Sequence, residues 1–201
     1  MITLEKPYSV RKSGIENEGI SFGIKKDGLA HIFNVLRNQL YSNKILAVIR
    51  EYSCNAYDAM VEAGTSDQKF VVTCPTFDDP CFKVRDFGSG LSPEGIAEVY
   101  AYYGESTKRQ SNAFIGQLGL GSKSGFAYGD NFVIRSFYRG TLYTYNAYLD
   151  ETKIGQILLM NEEATSENDG VEIVIPVKVR DISSFKENIA NFFKHFKSKP
   201  I

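Results

Sequence analysis

The chain has 201 residues, the size of one domain or a domain with an appendage, and 43 % of them are apolar, with 12 Tyr and 14 Phe, so a core can form without cross-links. Its 23 basic and 24 acidic residues leave a net charge of −1, which excludes bulk electrostatic attraction to nucleic acid or anionic lipid. Two histidines and three scattered cysteines exclude the usual zinc spacings, so a metal here has to be a hard ion on oxygen ligands.

Residues 1–26 are polar and glycine-punctuated, with one alternating piece from Ile20 to Ile24, and read as an arm ahead of a single domain over 27–201. Met1 to Arg11 carries Glu5, Lys6 and Pro7 where a signal peptide needs an apolar run. No stretch approaches the ~18 apolar residues of a membrane span, so the chain reads as soluble and unexported. Leu29, Ile32, Phe33, Leu36 and Leu40 recur at helical spacing between Asp27 and Tyr41. A second amphipathic helix follows. Ser42 or Asn43 caps it, Ile45, Val48, Ile49, Tyr52, Ala56, Ala59 and Met60 form its buried stripe, and Gly64 ends it.

Phe70 to Cys74 and Phe82 to Arg85 are β-rich and flank Pro75 to Pro80, a hairpin loop; Cys74 and Cys81 beside it read as reduced packing residues. Ser92-Pro93 opens a short helix as N-cap and first turn. Residues 104–125 carry five glycines among Ser, Thr, Lys and Gln and read as a long mobile loop running into a short helix over Lys123 to Tyr128. Strands follow at Phe132 to Tyr138, Leu142 to Leu149, Ile154 to Met160 and Val171 to Val179, and an amphipathic helix starts at Ile182. Helices first, a hairpin between and consecutive strands last predict an α+β fold, with helices on one face of a mixed or antiparallel sheet.

Three constellations carry candidate chemistry. At about 100° per residue, Glu51, Asn55 and Asp58 point within roughly 60° of one another on the polar side of the second helix, which on its own is also what a solvated face looks like. Asp86-Phe87-Gly88-Ser89-Gly90-Leu91 ends a strand; its glycines admit a ligand close to the backbone, and its Asp serves equally to cap a turn. The third is Gly116-Gln117-Leu118-Gly119-Leu120-Gly121-Ser122-Lys123, where successive N–H groups ahead of a helix can cradle phosphate oxygens. It fits neither a P-loop, because Ser122 intervenes before Lys123, nor a dinucleotide-binding turn, because Ser124 stands at the last glycine.

In this order and at about thirty-residue intervals, Glu51-x3-Asn55-Ala-x-Asp58-Ala59, Asp86-x-Gly88-x-Gly90 and Gly116-x-x-Gly119-x-Gly121 resemble the asparagine box and the two glycine boxes of the GHKL ATPases. That superfamily holds gyrase B, the ninety-kilodalton heat-shock chaperones, the histidine kinases and the MutL mismatch-repair proteins. Leu40 to Glu51, Val84 to Gly90, Ser111 to Ser124 and Gly170 to Val177 further resemble the amino-terminal region of the phage rapid-lysis A (rIIA-like) family.

The resemblance implies a two-layer α/β sandwich of the Bergerat type, with helices on one face of a mixed sheet, and ATP and Mg²⁺ as cofactors. In it Glu51 is the general base that activates water for attack on the γ-phosphate, and Asn55 gives a neutral oxygen to Mg²⁺. Asp86 accepts from the adenine amino group, which selects ATP over GTP. Gly88 and Gly90 let the base approach, Gly116 to Ser122 wrap the phosphates as part of a lid, and Lys108 and Lys123 stand as charge partners, Lys108 equally as a solvated lid lysine. Asp58 either joins the adenine network or makes a structural hydrogen bond. Relatives commonly have Thr after the glycine of the fourth box, where Val171 follows Gly170 here, so the polar adenine network is smaller. The histidine-kinase branch fits poorly, because Glu51 occupies the base position.

The function implied is a slow, dimerisation- or partner-dependent ATPase acting as a lid-gated switch; the competing reading is a non-hydrolysing nucleotide-sensing or interaction module. The superfamily resemblance implies a homodimer; the finer resemblance alone implies the cytoplasm of a phage-infected bacterial cell, a companion rapid-lysis B protein and peripheral membrane association.

Overall fold

The computed structural model describes residues 41–101, 121–196 and 199–201. The arm and nearly all of the first predicted helix lie outside them. The first described helix, α1 (Lys44–Glu62), starts where its cap chemistry dictates: the Asn43 side chain accepts from the Leu46 N–H at 2.9 Å. It stops at Gly64, whose φ of +73° is the left-handed conformation that ends helices. Strands β1 (Val71–Thr73) and β2 (Cys81–Arg85) form the hairpin. Helix α2 (Pro93–Ile96) is capped by Ser92 and continues as a π-helical turn over Ala97–Ala101.

After a 3₁₀ turn at Gly121–Lys123 comes α3 (Gly125–Tyr128). Strands β3 (Asn131–Tyr138) and β4 (Thr141–Leu149) turn at Arg139-Gly140, both at positive φ as a two-residue hairpin loop requires. Strands β5 (Gly155–Ala164) and β6 (Gly170–Pro176) and helix α4 (Ile182–Phe193) complete the described part.

The six strands form one sheet in the order β1-β2-β6-β3-β4-β5. Every pairing among the described residues is antiparallel. The expectation of a mixed sheet is therefore corrected for this part of the chain: β6 reaches β2 and β3 by antiparallel returns, so no crossover helix is needed between them.

Register places Phe82, Val84, Ile134, Tyr145, Ile173 and Ile175 on one face, because directly opposed residues share a side of the sheet. The helices cover this face. Phe82 packs on Phe185 of α4 with ring centres 5.5 Å apart, and Phe132 packs on Tyr52 of α1 and Phe126 of α3 at 6.0 and 5.0 Å. The α+β class with helices on one face is what the order of elements predicts. On the other face Arg85, Glu172 and Arg135 form a cross-strand row, with Arg135 and Glu172 ion-paired at 2.7 Å. The three cysteines are free thiols. Among the described residues no helix is long and apolar enough to cross a membrane.

Candidate functional site

The polar side of α1 is not a solvated face. Asp58 is completely buried, the Glu51 side chain is only one-fifth exposed, and Asn55 is half-buried. What covers the Glu51 end is Gly121. A Cβ added there would stand 2.6 Å from Glu51 Oε2, so a side chain at this position would make the carboxylate shift, and 3.7 Å from Asn55 Nδ2, an ordinary contact distance. Glu51 also takes an ion pair from Arg50 at 2.7 Å on Oε1. Burial and the Glu51 carboxylate together push the Tyr41 phenol up to about 12, which places Tyr41 in the same neighbourhood.

The other end of α1 meets the loop after β2. A Cβ on Gly88 would touch the Ala59 carbonyl oxygen at 3.0 Å, so this glycine sits directly on the helix. Asp86 is 6 % exposed, and its Oδ1 accepts from the N–H groups of Gly88 at 2.9 Å and Val171 at 3.1 Å. Its own N–H donates to the Val171 carbonyl at 2.9 Å. Gly90, at φ +67°, lies against the backbone of Phe137 and Gly170, leaving no room for a side chain. Gly170 is itself pressed on the Asp86 carbonyl. Asp86, Gly88, Gly90 and Val171 thus form one knot where β2, β3 and β6 come together.

One tyrosine that periodicity files under core is part of this site. Tyr52 lies on the buried stripe of α1, and its hydroxyl donates to the Ser122 carbonyl at 3.1 Å while accepting from Gly125 N–H at 3.0 Å. Tyr100 lies in the π-helical turn; burial, then the proximity of Tyr52 and Asp86, holds its phenol well above the usual range. No apolar pattern distinguishes a tyrosine that uses its hydroxyl from one that only packs.

The glycine-rich segment ends in a second set of contacts. Lys123 is 2 % exposed, and its ammonium donates to the Val99 carbonyl at 3.1 Å and to Ser122 Oγ at 3.2 Å. The Ser122 hydroxyl donates to the same Val99 carbonyl at 3.2 Å. In this state, therefore, Lys123 faces the π-helical turn. Lys108, Gly116, Gln117, Leu118, Gly119 and Leu120 lie outside the described residues.

Among the described residues no three His, Cys, Asp or Glu side chains come together to hold a metal. An open cleft of about 510 Å³ at the N-terminal end of α1 is lined by none of the predicted site residues. Within it Tyr128 donates to Asp181 at 2.8 Å and accepts from the Lys178 N–H at 3.0 Å, while Asn43 caps the helix. Compared with models of known protein families and with curated proteins, the chain gives no match.

Proposed function

We propose that this chain is a Mg²⁺-dependent ATP-binding domain of the GHKL type, a Bergerat sandwich that hydrolyses ATP slowly and works as a conformational switch read by a partner. The observation that supports it is that two segments far apart in sequence meet on one helix, Gly121 on Glu51 and Asn55, and Gly88, which is tied to Asp86, on Ala59. Glu51 and Asp58 are seven residues apart, about 10 Å along the helix axis. That separation suits a nucleotide lying along α1, with its base toward Asp86 and its terminal phosphate toward Glu51.

In this reading Glu51 accepts the proton of an attacking water, and its partial exposure leaves it reachable. Asn55, one turn on, offers a neutral oxygen to Mg²⁺, which neutralises charge on the phosphates when bound. One amide oxygen suffices for Mg²⁺, which keeps waters and phosphate oxygens in most of its positions. Gly121 and Ser122 present backbone to the phosphates. Asp86 accepts from the adenine amino group; guanine turns an acceptor to the same place. The rapid-lysis A resemblance makes an infected bacterial cell the proposed setting, with a homodimer or a rapid-lysis B protein as reader of the switch.

The Arg50 ion pair on Glu51 favours the second reading, a nucleotide sensor that does not hydrolyse, since it occupies an oxygen of the base. Calorimetric titration with ATP, with GTP, and with phosphate release followed in parallel, tests both. The enzyme reading expects ATP with Mg²⁺ to bind, GTP to bind far more weakly, and Glu51→Ala to keep binding while turnover falls about 10² to 10⁴-fold. Equal turnover in Glu51→Ala would rule out Glu51 as base, and no heat with ATP would rule out the nucleotide reading itself.

A further inference from the structure

Arg85 is a cation where packing alone would place an aliphatic residue. It is 8 % exposed on the sheet face opposite the helices, with its guanidinium centre 4.0 Å from the ring centre of Phe137 and 5.0 Å from that of Phe87. One arm of the guanidinium donates to the Asp86 carbonyl and another to the Asn168 carbonyl. It therefore joins the end of β2 to the β5–β6 connection, which leads two residues on into Gly170 and the Val171 N–H held by Asp86 Oδ1. Gly170 has no room for a side chain against the same guanidinium.

Among the described residues no carboxylate pairs directly with Arg85; a buried charge held in this way works against folding, and an apolar residue of similar volume is commonly neutral or better at such a place. Burial does pull the Arg85 guanidinium down from its ordinary range, with Asp86 and Glu172 opposing. Residues that break a packing rule without a gain in stability concentrate at functional sites. What Arg85 supplies that methionine cannot is a rigid fork, two donors at fixed angle for two carbonyls on two separate loops.

We propose that Arg85 is a positioning residue for the base end of the site, acting through Asp86: from behind the sheet it locks the two loops so that the Asp86 carboxylate keeps its place between Gly88 and Val171. This rests on the nucleotide reading for its effect on ligand, while the locking itself does not. Arg85→Met keeps the packing between the two rings and removes both donors; Arg85→Lys keeps charge and a single flexible donor. In the full chain, Arg85→Met is expected to bind ATP about tenfold more weakly or worse, with melting temperature within about 3 °C of wild type. In turnover KM rises and kcat holds, since Glu51 lies at the other end of α1. Arg85→Lys falls between the two. Amide hydrogen exchange adds a readout that needs no nucleotide: the Gly88 and Val171 amides should exchange faster in Arg85→Met, with those of α1 unchanged.

Wild-type affinity together with unaltered exchange at Gly88 and Val171 would overturn the proposal, as would a loss of affinity that only follows a fall in melting temperature and is not partly restored by Lys. If the wild-type chain itself binds no ATP, the nucleotide reading fails, and the exchange at those two amides still decides whether Arg85 holds Asp86.

Discussion

Burial draws the Lys123 ammonium down to about 8, far below the ordinary lysine range near 10.5. The consequence for stability has a definite sign. Below pH 8 the side chain is charged in both folded and unfolded chains, and the cost of burying the charge is present in full. Between about 8 and 10.5 the folded chain has lost the proton and the unfolded one has not, so stability rises with pH. From pH 7 to 9 this amounts to about 1 kcal/mol, and Lys123→Met should abolish it. Urea unfolding at half-unit steps over that window reads the difference between the two proteins; parallel curves would mean that the amine is not desolvated. The window closes near pH 9, because burial pushes the Cys74 and Cys81 thiols up and their contribution falls as pH rises past the unfolded value. A lysine beside glycines was legible as a residue type. That it turns toward the Val99 carbonyl was not, because the carbonyl belongs to a turn more than twenty residues earlier in the chain.

Elements join at few atoms, and Tyr52 is one junction. Its hydroxyl takes the Gly125 N–H at the start of α3 and gives to the Ser122 carbonyl, fastening the end of the glycine segment to α1. Tyr52→Phe removes one oxygen and strands a donor and an acceptor in a buried place, which should lower stability by about 1 to 3 kcal/mol in urea unfolding. A cost below about 0.3 kcal/mol would show that the junction holds nothing. Gly121→Ala acts at the next contact: its Cβ has to displace the Glu51 carboxylate or the backbone, so turnover should fall more than stability does. The helices and the first hairpin were legible where local chemistry specifies them, as at Asn43, Gly64, Ser92-Pro93 and the loop from Pro75 to Pro80. Strand β5 was not legible in full. Its polar end, Asn161 to Ala164, reads as a connection, yet it pairs with Thr141 to Thr144 after a bulge, because an edge strand can expose Glu162 and Glu163 while its backbone stays bonded. In β6 the strand stops at Pro176 and not at Val179, where the missing N–H ends the ladder.

At the scale of the molecule, the feature no local pattern contains is the place of β6, last of the described strands in sequence and yet lodged between β2 and β3. That insertion brings Val171 to Asp86, eighty-five residues away, and lets Gly90 lie on Phe137. The site residues were readable as three motifs in order; their convergence on α1 is a product of this topology and of the burial of one helix stripe on the sheet. The knot at Asp86 consequently serves two equilibria that can be separated. Asp86→Ala leaves the buried N–H groups of Gly88 and Val171 without their acceptor, so the unliganded chain should lose about 1 to 3 kcal/mol of stability. Independently, a ligand that binds only the folded chain adds about 2.7 kcal/mol at a concentration one hundred times its Kd. In the wild-type chain that increment should be seen in urea unfolding with ATP and Mg²⁺, and should be far smaller with GTP. In Asp86→Ala the ATP increment should vanish beyond the loss already present without ligand. An undiminished ATP increment in that variant would mean that the carboxylate holds the loop and takes no part in recognising the base.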